Sequence, residues 1–345
     1  MGRADVARIC IYGAGSIGCY LGGRLAATGA SVTFIGRPRM QDELLRHGLH
    51  LTDYLGADLR VAATDIRYST TADAAADADL VLVTVKSAAS ETAARELAGV
   101  LSPDALVLSF QNGTGNADVL QRGLPAHRVI AGMVPFNVVN HGDGHFHQGS
   151  EGHLDAAAHP GLAAFQPLFA RAGLALMLQQ DMTAVLWSKL LLNLNNPINA
   201  LSGIPLKAEL SQRAYRRCLA LAQQEALGLI DAAGIRLVRL TPLPPHWIPR
   251  LMSVPDLLFR RLANRMLQID PLARSSMWED LEAGRRTEID WINGEIVRLA
   301  SRLGRQAPVN ARLIALIRAA EQGGERAWSG PDLLAELQAA AVVRA

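Results

Sequence analysis

Residues Ile9 to Gly18, ICIYGAGSIG, decide the fold of this 345-residue chain. The first four form an apolar run typical of a buried parallel strand, and the next six match the pattern G-x-G-x-x-G. A stretch of small and apolar residues follows, with the pattern of a closely packed helix. Strand, glycine loop and helix in this order are typical of the first βαβ unit of a Rossmann-type dinucleotide-binding domain.

Each glycine of this loop has its own physical role. Gly13 makes the tight turn, Gly15 lets backbone N–H groups approach a pyrophosphate, and Gly18 lets the helix pack on the strand. The helix N-terminus favours an anion through its unpaired N–H groups and its dipole. We predict that the whole loop binds a dinucleotide pyrophosphate, through Gly13, Ala14, Gly15, Ser16, Ile17 and Gly18. The alternative is a glycine turn that binds no ligand.

The end of the second predicted strand, 31–35, indicates which dinucleotide is bound. An acidic residue here would bind the ribose 2′-hydroxyl of NAD, whereas an arginine would pair with the 2′-phosphate of NADP. No acidic residue occurs from 31 to 40, but Arg37 and Arg39 do. We therefore predict NADP(H), held by Arg37. The alternative is a solvated basic turn.

The composition restricts the class of protein. Half of the residues are hydrophobic and 19% are charged, which is enough apolar material for two domains of ordinary size. A net charge of +2 does not favour nucleic acid or an anionic membrane as a partner. Cys10, Cys19 and Cys218 lack C-x-x-C spacing and predict buried thiols in a reducing compartment. With no signal-type leader and no apolar run of membrane-spanning length, we expect a soluble cytoplasmic protein.

Polar residues follow two strongly predicted strands of the first half. Strands are expected at 59–63, 79–85 and 105–110, at a spacing that suits alternating βα units. Lys86 follows the second of these and Asn112 the third. Ligands bind outside the carboxyl ends of parallel strands, so both residues should lie on the same edge as the glycine loop. The alternative is that they cap a helix or a turn.

A histidine-rich stretch at 140–153 raises the question of a metal site. It contains His141, His145, His147 and His153, without any cysteine. The alternation of His145 and His147 fits one face of an antiparallel strand, and polar strand faces are common. We predict no metal site.

From residue 181 onward the pattern is helical throughout. We predict two domains, an α/β domain at 1–180 and an all-α domain at 181–345. One helix is expected over 182–201, with Lys189, Asn193 and Asn196 at positions i, i+4 and i+7 of one face. Because a lysine and two amides are costly to bury without partners, we expect them to line a cleft that binds a polar ligand. The alternative is an exposed polar stripe.

A second polar set occurs near the C-terminal end, at 274–295. Ser276, Asp280 and Glu288 are spaced like residues on helices that pass one cleft. An acidic residue that faces a lysine suits proton transfer. The alternative for Glu288 is an ordinary helix N-terminal carboxylate after Thr287. The segment 241–271, rich in Pro and Arg, has the composition of a lid, a loop or an interface.

Several stretches spread over nearly the whole chain form a common pattern. They are GAGSIG at 13–18 with Arg37, VTVK ending in Lys86, QNGTGN with Asn112, WSKLLLN with Lys189 and Asn193, SSM with Ser276, GRRTEIDWING with Glu288, and APVNARL from Ala307. In this order they resemble the ketopantoate reductase (2-dehydropantoate 2-reductase) family. The resemblance implies NADPH-dependent reduction of 2-dehydropantoate to (R)-pantoate, on the route to pantothenate and coenzyme A. It also implies an all-α C-terminal domain of the 6-phosphogluconate dehydrogenase type.

The resemblance also implies roles for individual residues. Lys189 would donate the proton to the nascent alkoxide, and Glu288 would orient the lysine, the cofactor or the substrate hydroxyl. The implied substrate ligands also include Asn193, Asn196 and Ser276, while Lys86 and Asn112 would lie by the ribose and nicotinamide, at the junction with the substrate. The chemistry agrees, because an ammonium group beside a ketone both stabilises the developing alkoxide and protonates it.

The chain departs from the family pattern at two positions that concern the substrate. Asn196 comes one residue earlier than the family's second helix asparagine, and Leu206 stands near the place of a further asparagine. These departures, together with the long segment 241–271, leave reduction of another branched 2-oxo acid open. An alternative of a different class is a non-enzymatic NADP(H)-binding sensor, which would need a lost proton donor, whereas Lys189 is present. A homodimer through apolar segments such as 219–230 is a further hypothesis.

Overall fold

The computed structural model describes residues 7–262 and 273–342. The chain divides into two compact units, Met1–Met182 and Thr183–Ala345, here called the N-terminal and C-terminal units. The N-terminal unit contains all of the strands in the described residues, and the described part of the C-terminal unit is helical. The predicted fold class, an α/β domain followed by an all-α domain, is confirmed.

The strands of the N-terminal unit follow the expected alternation for most of their course. In chain order they are β1 (Arg8–Tyr12), β2 (Ser31–Ile35), β3 (Leu49–Asp53), β4 (Asp58–Val61), β5 (Arg67–Ser69), β6 (Leu80–Val83), β7 (Leu106–Ser109), β8 (Arg128–Met133), β9 (Val138–Gly142), β10 (His145–Gln148), β11 (Leu154–Ala157) and β12 (Leu176–Gln179). The helices of this unit are α1 (Ser16–Ala26), α2 (Pro38–His47), α3 (Ser90–Ala98), α4 (Asn116–Gly123), α5 (Pro160–Ala163) and α6 (Gln166–Arg171).

The main sheet has the order β12-β11-β8-β7-β6-β1-β2-β5. The six neighbouring strands β5, β2, β1, β6, β7 and β8 are parallel, and β11 runs antiparallel to β8. Alternate residues of β1 enter different apolar clusters: Ile9 and Ile11 one, Cys10 and Tyr12 the other. This is the pattern of a strand covered on both faces. Because the chain winds away from β1 on both sides, the switch point of the sheet lies beside the glycine loop.

The prediction that residues 59–63 form a strand of the alternating βα series is wrong. β4 belongs to a separate sheet of order β4-β3-β10-β9 and is antiparallel to β3. The two strands are joined by a short turn in which Asp53 Oδ1 accepts hydrogen bonds from the backbone N–H groups of Leu55 and Ala57. Gly56 has φ +92°, so the turn closes a hairpin and leaves no room for a helix.

The histidine-rich stretch lies in this small sheet. His145 and His147 alternate on β10, which pairs antiparallel with β9, and both rings are hydrogen-bonded to Thr52 Oγ1, at 2.9 and 2.8 Å. The predicted strand face is therefore confirmed. In the part of the chain that the structure describes, no group of three or more His, Cys, Asp or Glu side chains is arranged to hold a metal ion.

The C-terminal unit is built around one apolar core. Its helices are α7 (Met182–Asn193), α8 (Asn196–Ser202), α9 (Leu206–Leu210), α10 (Arg213–Ala232), α11 (Ile248–Ser253), α12 (Asp256–Leu262), α13 (Ser276–Glu282), α14 (Ile289–Arg302), α15 (Pro308–Glu321) and α16 (Gly330–Val342). Of the segment 241–271, the structure describes α11 and α12, and residues 263–272 lie outside the described residues. None of the described helices is long and apolar enough to cross a membrane.

One expectation for this unit needs correction. The single helix over 182–201 is interrupted at Leu194 and Asn195, because Pro197 lacks an N–H group and disfavours helical continuity before it. The apolar residues of 219–230 are mostly buried within the chain's own core, and a homodimer through this segment stays a prediction.

Candidate active site

The glycine loop is held tightly against the end of the neighbouring strand. Thr84, which follows β6, donates from Oγ1 to the Gly13 carbonyl at 2.7 Å, and a Cβ atom on Gly13 would lie 2.6 Å from Val85 N. Gly13 also has φ +115°, which disfavours any side chain. A Cβ atom on Gly18 would collide with the Gly13 carbonyl and with Thr84. Both glycines are therefore required by the close approach of the loop, the helix and the strand.

Gly15 differs from the other two glycines, because it borders open space. Apart from Gly15 itself and its two chain neighbours, no heavy atom of the described residues lies within 4 Å of the place that a Cβ atom would take. Gly15 is the N-cap of α1, and the first intrahelical bond runs from Cys19 N to its carbonyl. The N–H groups of Ser16, Ile17 and Gly18 precede that bond, so they have no intrahelical acceptor. The loop therefore offers donors and space where a phosphate group fits.

Arg37 follows β2 after one residue, Gly36; it is the N-cap of α2, and its side chain is exposed. Its backbone is held in place, since the Tyr68 hydroxyl donates to its carbonyl at 3.1 Å. A positioned backbone with an exposed guanidinium group suits a bidentate bond to a phosphate.

Lys86 and Asn112 lie at the same edge of the sheet as the glycine loop, as predicted. Lys86 follows the end of β6, and Asn112 follows the end of β7. The two loops are joined by Ser87, which donates from Oγ to the Asn112 carbonyl at 3.0 Å. The Lys86 side chain is exposed and that of Asn112 is half-buried. The structure thus brings the glycine loop, Lys86 and Asn112 together, while their roles stay predictions.

A buried set of side chains behind these loops was not singled out from the sequence. We call it the Gln111 network, and its members are Ser87, Ser90, Ser109, Gln111 and Asn116. Asn116 Nδ2 donates to Ser87 Oγ and to the Asn112 carbonyl, while its Oδ1 accepts from Ser90. Gln111 Nε2 donates to Ser90 Oγ and to the Val85 carbonyl. Every member is neutral and paired, so the network fixes both loops without any titrating group.

Lys189 lies on α7, a helix rich in buried apolar residues. Trp187, Leu190 and Leu191 beside it are buried, and the lysine itself is half-buried. Desolvation lowers the pKa of Lys189 from 10.5 to about 8. Near neutral pH such a lysine can therefore give up and regain a proton more readily than an exposed lysine, which stays almost fully charged.

Asn193 and Asn196 are both half-buried, but the interruption after Asn193 places them on different helices. The expectation that Lys189, Asn193 and Asn196 project from one continuous helix is therefore wrong. Ser276, the first residue of α13, is exposed, and its neighbour Ser275 donates from Oγ to the Asn196 carbonyl at 3.2 Å. The structure thus brings Asn196 and Ser276 into one neighbourhood.

Glu288 is the N-cap residue of α14, and its carbonyl accepts from Trp291 N and Ile292 N. The preceding Thr287 is held by Glu321, whose Oε1 accepts from the Thr287 backbone N–H and hydroxyl, both at 2.8 Å. Glu321 of α15 therefore fixes the start of α14, and with it the position of the Glu288 backbone.

Asp280, by contrast, is buried on α13, 3.2 Å from Arg285 Nε. Because this carboxylate is bonded to a side chain of the loop that follows α13, it suits a structural role better than contact with substrate.

A second buried network lies between α8, α9 and α13, and sequence reasoning missed it. We call it the Asn199 network, and its members are Asn195, Asn199, Glu209 and Ser275. Glu209 is fully buried on α9, in a short segment, LKAEL, whose sequence carries no signal of burial. The one signal in the sequence that could have pointed to this network is on α8, where Asn199 follows Asn196 by about one helical turn.

Comparison with known proteins identifies the family. The model of the N-terminal domain described as ketopantoate reductase PanE/ApbA matches residues 9–161, and the model of the corresponding C-terminal domain matches residues 181–321. The chain belongs to the ketopantoate reductase family. The two matches together cover most of the chain, so the resemblance seen in the separated motifs is confirmed.

Individual relatives of this family match most of the chain. The 2-dehydropantoate 2-reductase of Halobacterium salinarum is 30% identical, with 92% of this chain and 100% of the relative covered. That of Archaeoglobus fulgidus is 28% identical, with 92% and 99% covered. A crystal structure of a PanE/ApbA family ketopantoate reductase from Ralstonia eutropha is 32% identical, covers 92% of this chain and 99% of its own, and superposes with a TM-score of 0.78.

Proposed function

We infer that this protein reduces the ketone of 2-dehydropantoate to the hydroxyl of (R)-pantoate with NADPH. The observation that carries the inference is the half-buried Lys189 with its pKa near 8, in a chain whose family reduces this ketone. The N-terminal unit, which we equate with the predicted domain 1–180, binds the cofactor. The C-terminal unit, which we equate with 181–345, supplies the lysine and the substrate-binding side chains.

The residues of the N-terminal unit fit NADPH. The open space at Gly15 and the first N–H groups of α1 suit the pyrophosphate, and the exposed Arg37 guanidinium suits the 2′-phosphate. Lys86 and Asn112, held by the Gln111 network, would contact the ribose and the nicotinamide. When bound, NADPH supplies a hydride.

The proton in this reaction comes from Lys189. As the ketone carbon gains a hydride, its oxygen becomes an alkoxide, which the Lys189 ammonium group stabilises and then protonates. The product is a hydroxyl group and a neutral amine, and the amine regains its proton from solvent. A pKa near 8 leaves most of the lysine protonated at pH 7 and makes it a stronger acid than an exposed lysine.

The remaining residues orient the substrate. We propose that Asn193, Asn196 and Ser276 bind its hydroxyl and carboxylate groups, and that Glu288 orients the lysine, the cofactor or the substrate hydroxyl. Half-buried amides at the start and end of helices are suited to this, because they offer both donors and acceptors at fixed positions.

We further propose a cytoplasmic location, which the three free and buried cysteines support. We retain a homodimer as a hypothesis, with no role for the buried face of α10. Light scattering of the purified protein distinguishes a dimer from a monomer.

The decisive experiment is NADPH oxidation in the presence of 2-dehydropantoate, with NADH measured in parallel. We expect turnover with NADPH and a much lower kcat/KM with NADH. Absence of turnover with 2-dehydropantoate and with every related 2-oxo acid would leave only the sensor hypothesis.

Reduction of another branched 2-oxo acid is a second candidate function, favoured by one observation. Leu206, which stands near the place of a family asparagine, is half-buried at the start of α9. An apolar side chain there would favour a substrate with fewer hydroxyl groups than 2-dehydropantoate. Comparing kcat/KM over a panel of 2-oxo acids decides between the two, and a preference of several orders of magnitude for 2-dehydropantoate excludes this candidate.

A further inference from the structure

Two of the proposed substrate ligands lie on helices that are far apart in the chain. Asn196 is the first residue of α8 and Ser276 is the first residue of α13. Both side chains are accessible, and each extends from the beginning of its helix. Their spacing therefore depends on how the N-terminus of α13 is attached to α8.

That attachment consists of two pairs of hydrogen bonds. Ser275, the N-cap of α13, donates its backbone N–H to Asn199 Oδ1 at 2.8 Å and its hydroxyl to the Asn196 carbonyl at 3.2 Å. The residues just before it are bonded to the α8–α9 turn: Leu206 N donates to the Ala273 carbonyl at 2.9 Å, and Arg274 Nη1 donates to the Gly203 carbonyl at 2.7 Å. Two of these four bonds use a buried side chain, the Asn199 amide in one and the Ser275 hydroxyl in the other.

The amide of Asn199 has one permitted orientation. Its Oδ1 faces the Ser275 N–H donor, and its Nδ2 faces two acceptors, the Ile204 carbonyl at 2.9 Å and Glu209 Oε2 at 2.8 Å. A flipped amide would place a donor against a donor and an acceptor against two acceptors. Asn199 is fully buried, so solvent cannot replace any of these partners.

Glu209 completes the arrangement from the other side. It is fully buried, and its Oε2 accepts from Asn199 and also from Asn195 Nδ2 at 3.4 Å. Within the described residues, Glu209 Oε1 and Asn195 Oδ1 have no hydrogen-bond partner. Burial raises the pKa of Glu209 to about 8, against the opposing effect of the two asparagines, so the carboxyl group is mostly neutral at pH 7. A neutral carboxyl still offers an acceptor to Asn199.

We propose that Asn199 and Glu209 are positioning residues, which set the spacing of Asn196 and Ser276 by fixing the start of α13 against α8. This rests on the proposed function, in which those two side chains bind the substrate. Asn199 acts through Ser275, and Glu209 acts through Asn199. Neither is required to touch the substrate.

The test uses the full-length protein and two pairs of variants. Asn199→Ala removes the amide, and Leu337→Ala, a fully buried residue of α16, serves as the control for lost stability. Glu209→Leu removes the acceptor, and Glu209→Gln keeps one of similar shape. We expect Asn199→Ala and Glu209→Leu to raise KM for 2-dehydropantoate about 10- to 100-fold, as expected for a lost buried hydrogen bond. The Kd of NADPH and the KM of Glu209→Gln should stay close to wild type.

A second measurement does not depend on turnover. Hydrogen exchange of the Ser275 amide should be faster in Asn199→Ala and Glu209→Leu, and unchanged in Leu337→Ala and Glu209→Gln. If Ser275 exchange is unaffected, or if KM rises equally in Leu337→Ala, the positioning role is overturned. Lack of activity in the wild type would instead overturn the proposed function, and the exchange result would still decide whether Asn199 and Glu209 fix α13.

Discussion

The Gln111 network of the N-terminal unit contains only amides and hydroxyls, whereas the Asn199 network of the C-terminal unit contains a carboxyl group. In the first, Asn116 uses both of its donors and its acceptor. In the second, the described residues leave one oxygen of Glu209 and one of Asn195 without a partner. A buried neutral network holds its geometry at any ordinary pH, while a buried carboxyl couples geometry to protonation.

This difference follows the proposed division of work between the units. Cofactor binding needs fixed loops at the end of a sheet, and the two charged residues proposed to bind the cofactor there, Arg37 and Lys86, are exposed. The C-terminal unit instead holds two groups, Lys189 and Glu209, whose burial brings their pKa values from opposite sides to about 8. Changes in pH are therefore expected to act on turnover and on the C-terminal unit more than on cofactor binding.

The largest expected effect comes from Lys189→Ala. Loss of the proton donor should lower kcat about 10²- to 10⁴-fold, the usual contribution of general acid catalysis. The Kd of NADPH, measured by fluorescence titration, should not change. Lys207→Ala, an exposed lysine of α9, is the matched control and should keep full turnover. Wild-type turnover in Lys189→Ala would contradict the assignment.

The second effect concerns stability and isolates Glu209. Its pKa is raised from 4.5 to about 8 in the folded protein, so between these values the folded state binds more protons than the unfolded state. The free energy of unfolding should therefore fall as pH rises from 5 to 8, by up to about 4 kcal/mol. Urea unfolding at several pH values should show that this fall is absent in Glu209→Gln. Equal pH slopes in the two proteins would show that Glu209 does not titrate in this range.

The third effect separates cofactor binding from catalysis. Arg37→Ala should weaken NADPH binding about 10- to 100-fold through loss of charge-assisted bonds to the 2′-phosphate, and leave NADH binding unchanged. Arg46→Ala, an exposed arginine of α2, is the control. If the binding of NADPH and the binding of NADH were weakened equally, Arg37 would not contact the 2′-phosphate.

The fourth effect is the pH dependence of the reduction itself. Lys189 must carry its proton, and its pKa is about 8, so kcat should fall about tenfold for each pH unit above that value. The opposite reaction, oxidation of pantoate, should gain from the same deprotonation because the neutral amine acts as the base. A flat kcat profile up to pH 10, with chemistry shown to be rate-limiting, would exclude Lys189 as the donor.

The smallest effect is expected from the neutral network. Asn116→Ala removes two bonds that hold the Lys86 and Asn112 loops and should raise KM for NADPH about three- to tenfold. The increase should be the same from pH 6 to pH 9. Gln121→Ala, on the same helix but bonded to Leu124 and His127, is the control. An increase that depends on pH would remove the contrast between the two networks.

Sequence reasoning succeeded where the signal is local. The glycine loop, Arg37 and the ends of β6 and β7 lie next to the strands that position them, so reading the strands locates the residues. The prediction for residues 59–63 is wrong, because the spacing of the apolar runs does not reveal the hairpin that joins β3 and β4 through the turn at Gly56. The prediction of one helix over 182–201 is also wrong. The apolar pattern on both sides of Pro197 favours a continuous helix, but the proline interrupts it.

The sequence by itself determined the fold class, the family and the principal candidates on both units, because these depend on short motifs and on hydrophobic periodicity. Only the tertiary structure decided which buried residues hold these candidates in position. Asn199, Glu209 and Ser275 are spread over 76 residues and meet only after α8, α9 and α13 have packed. The burial that brings the pKa of Lys189 and Glu209 to about 8 is likewise a property of the packed core, since desolvation depends on neighbours that are distant in the chain.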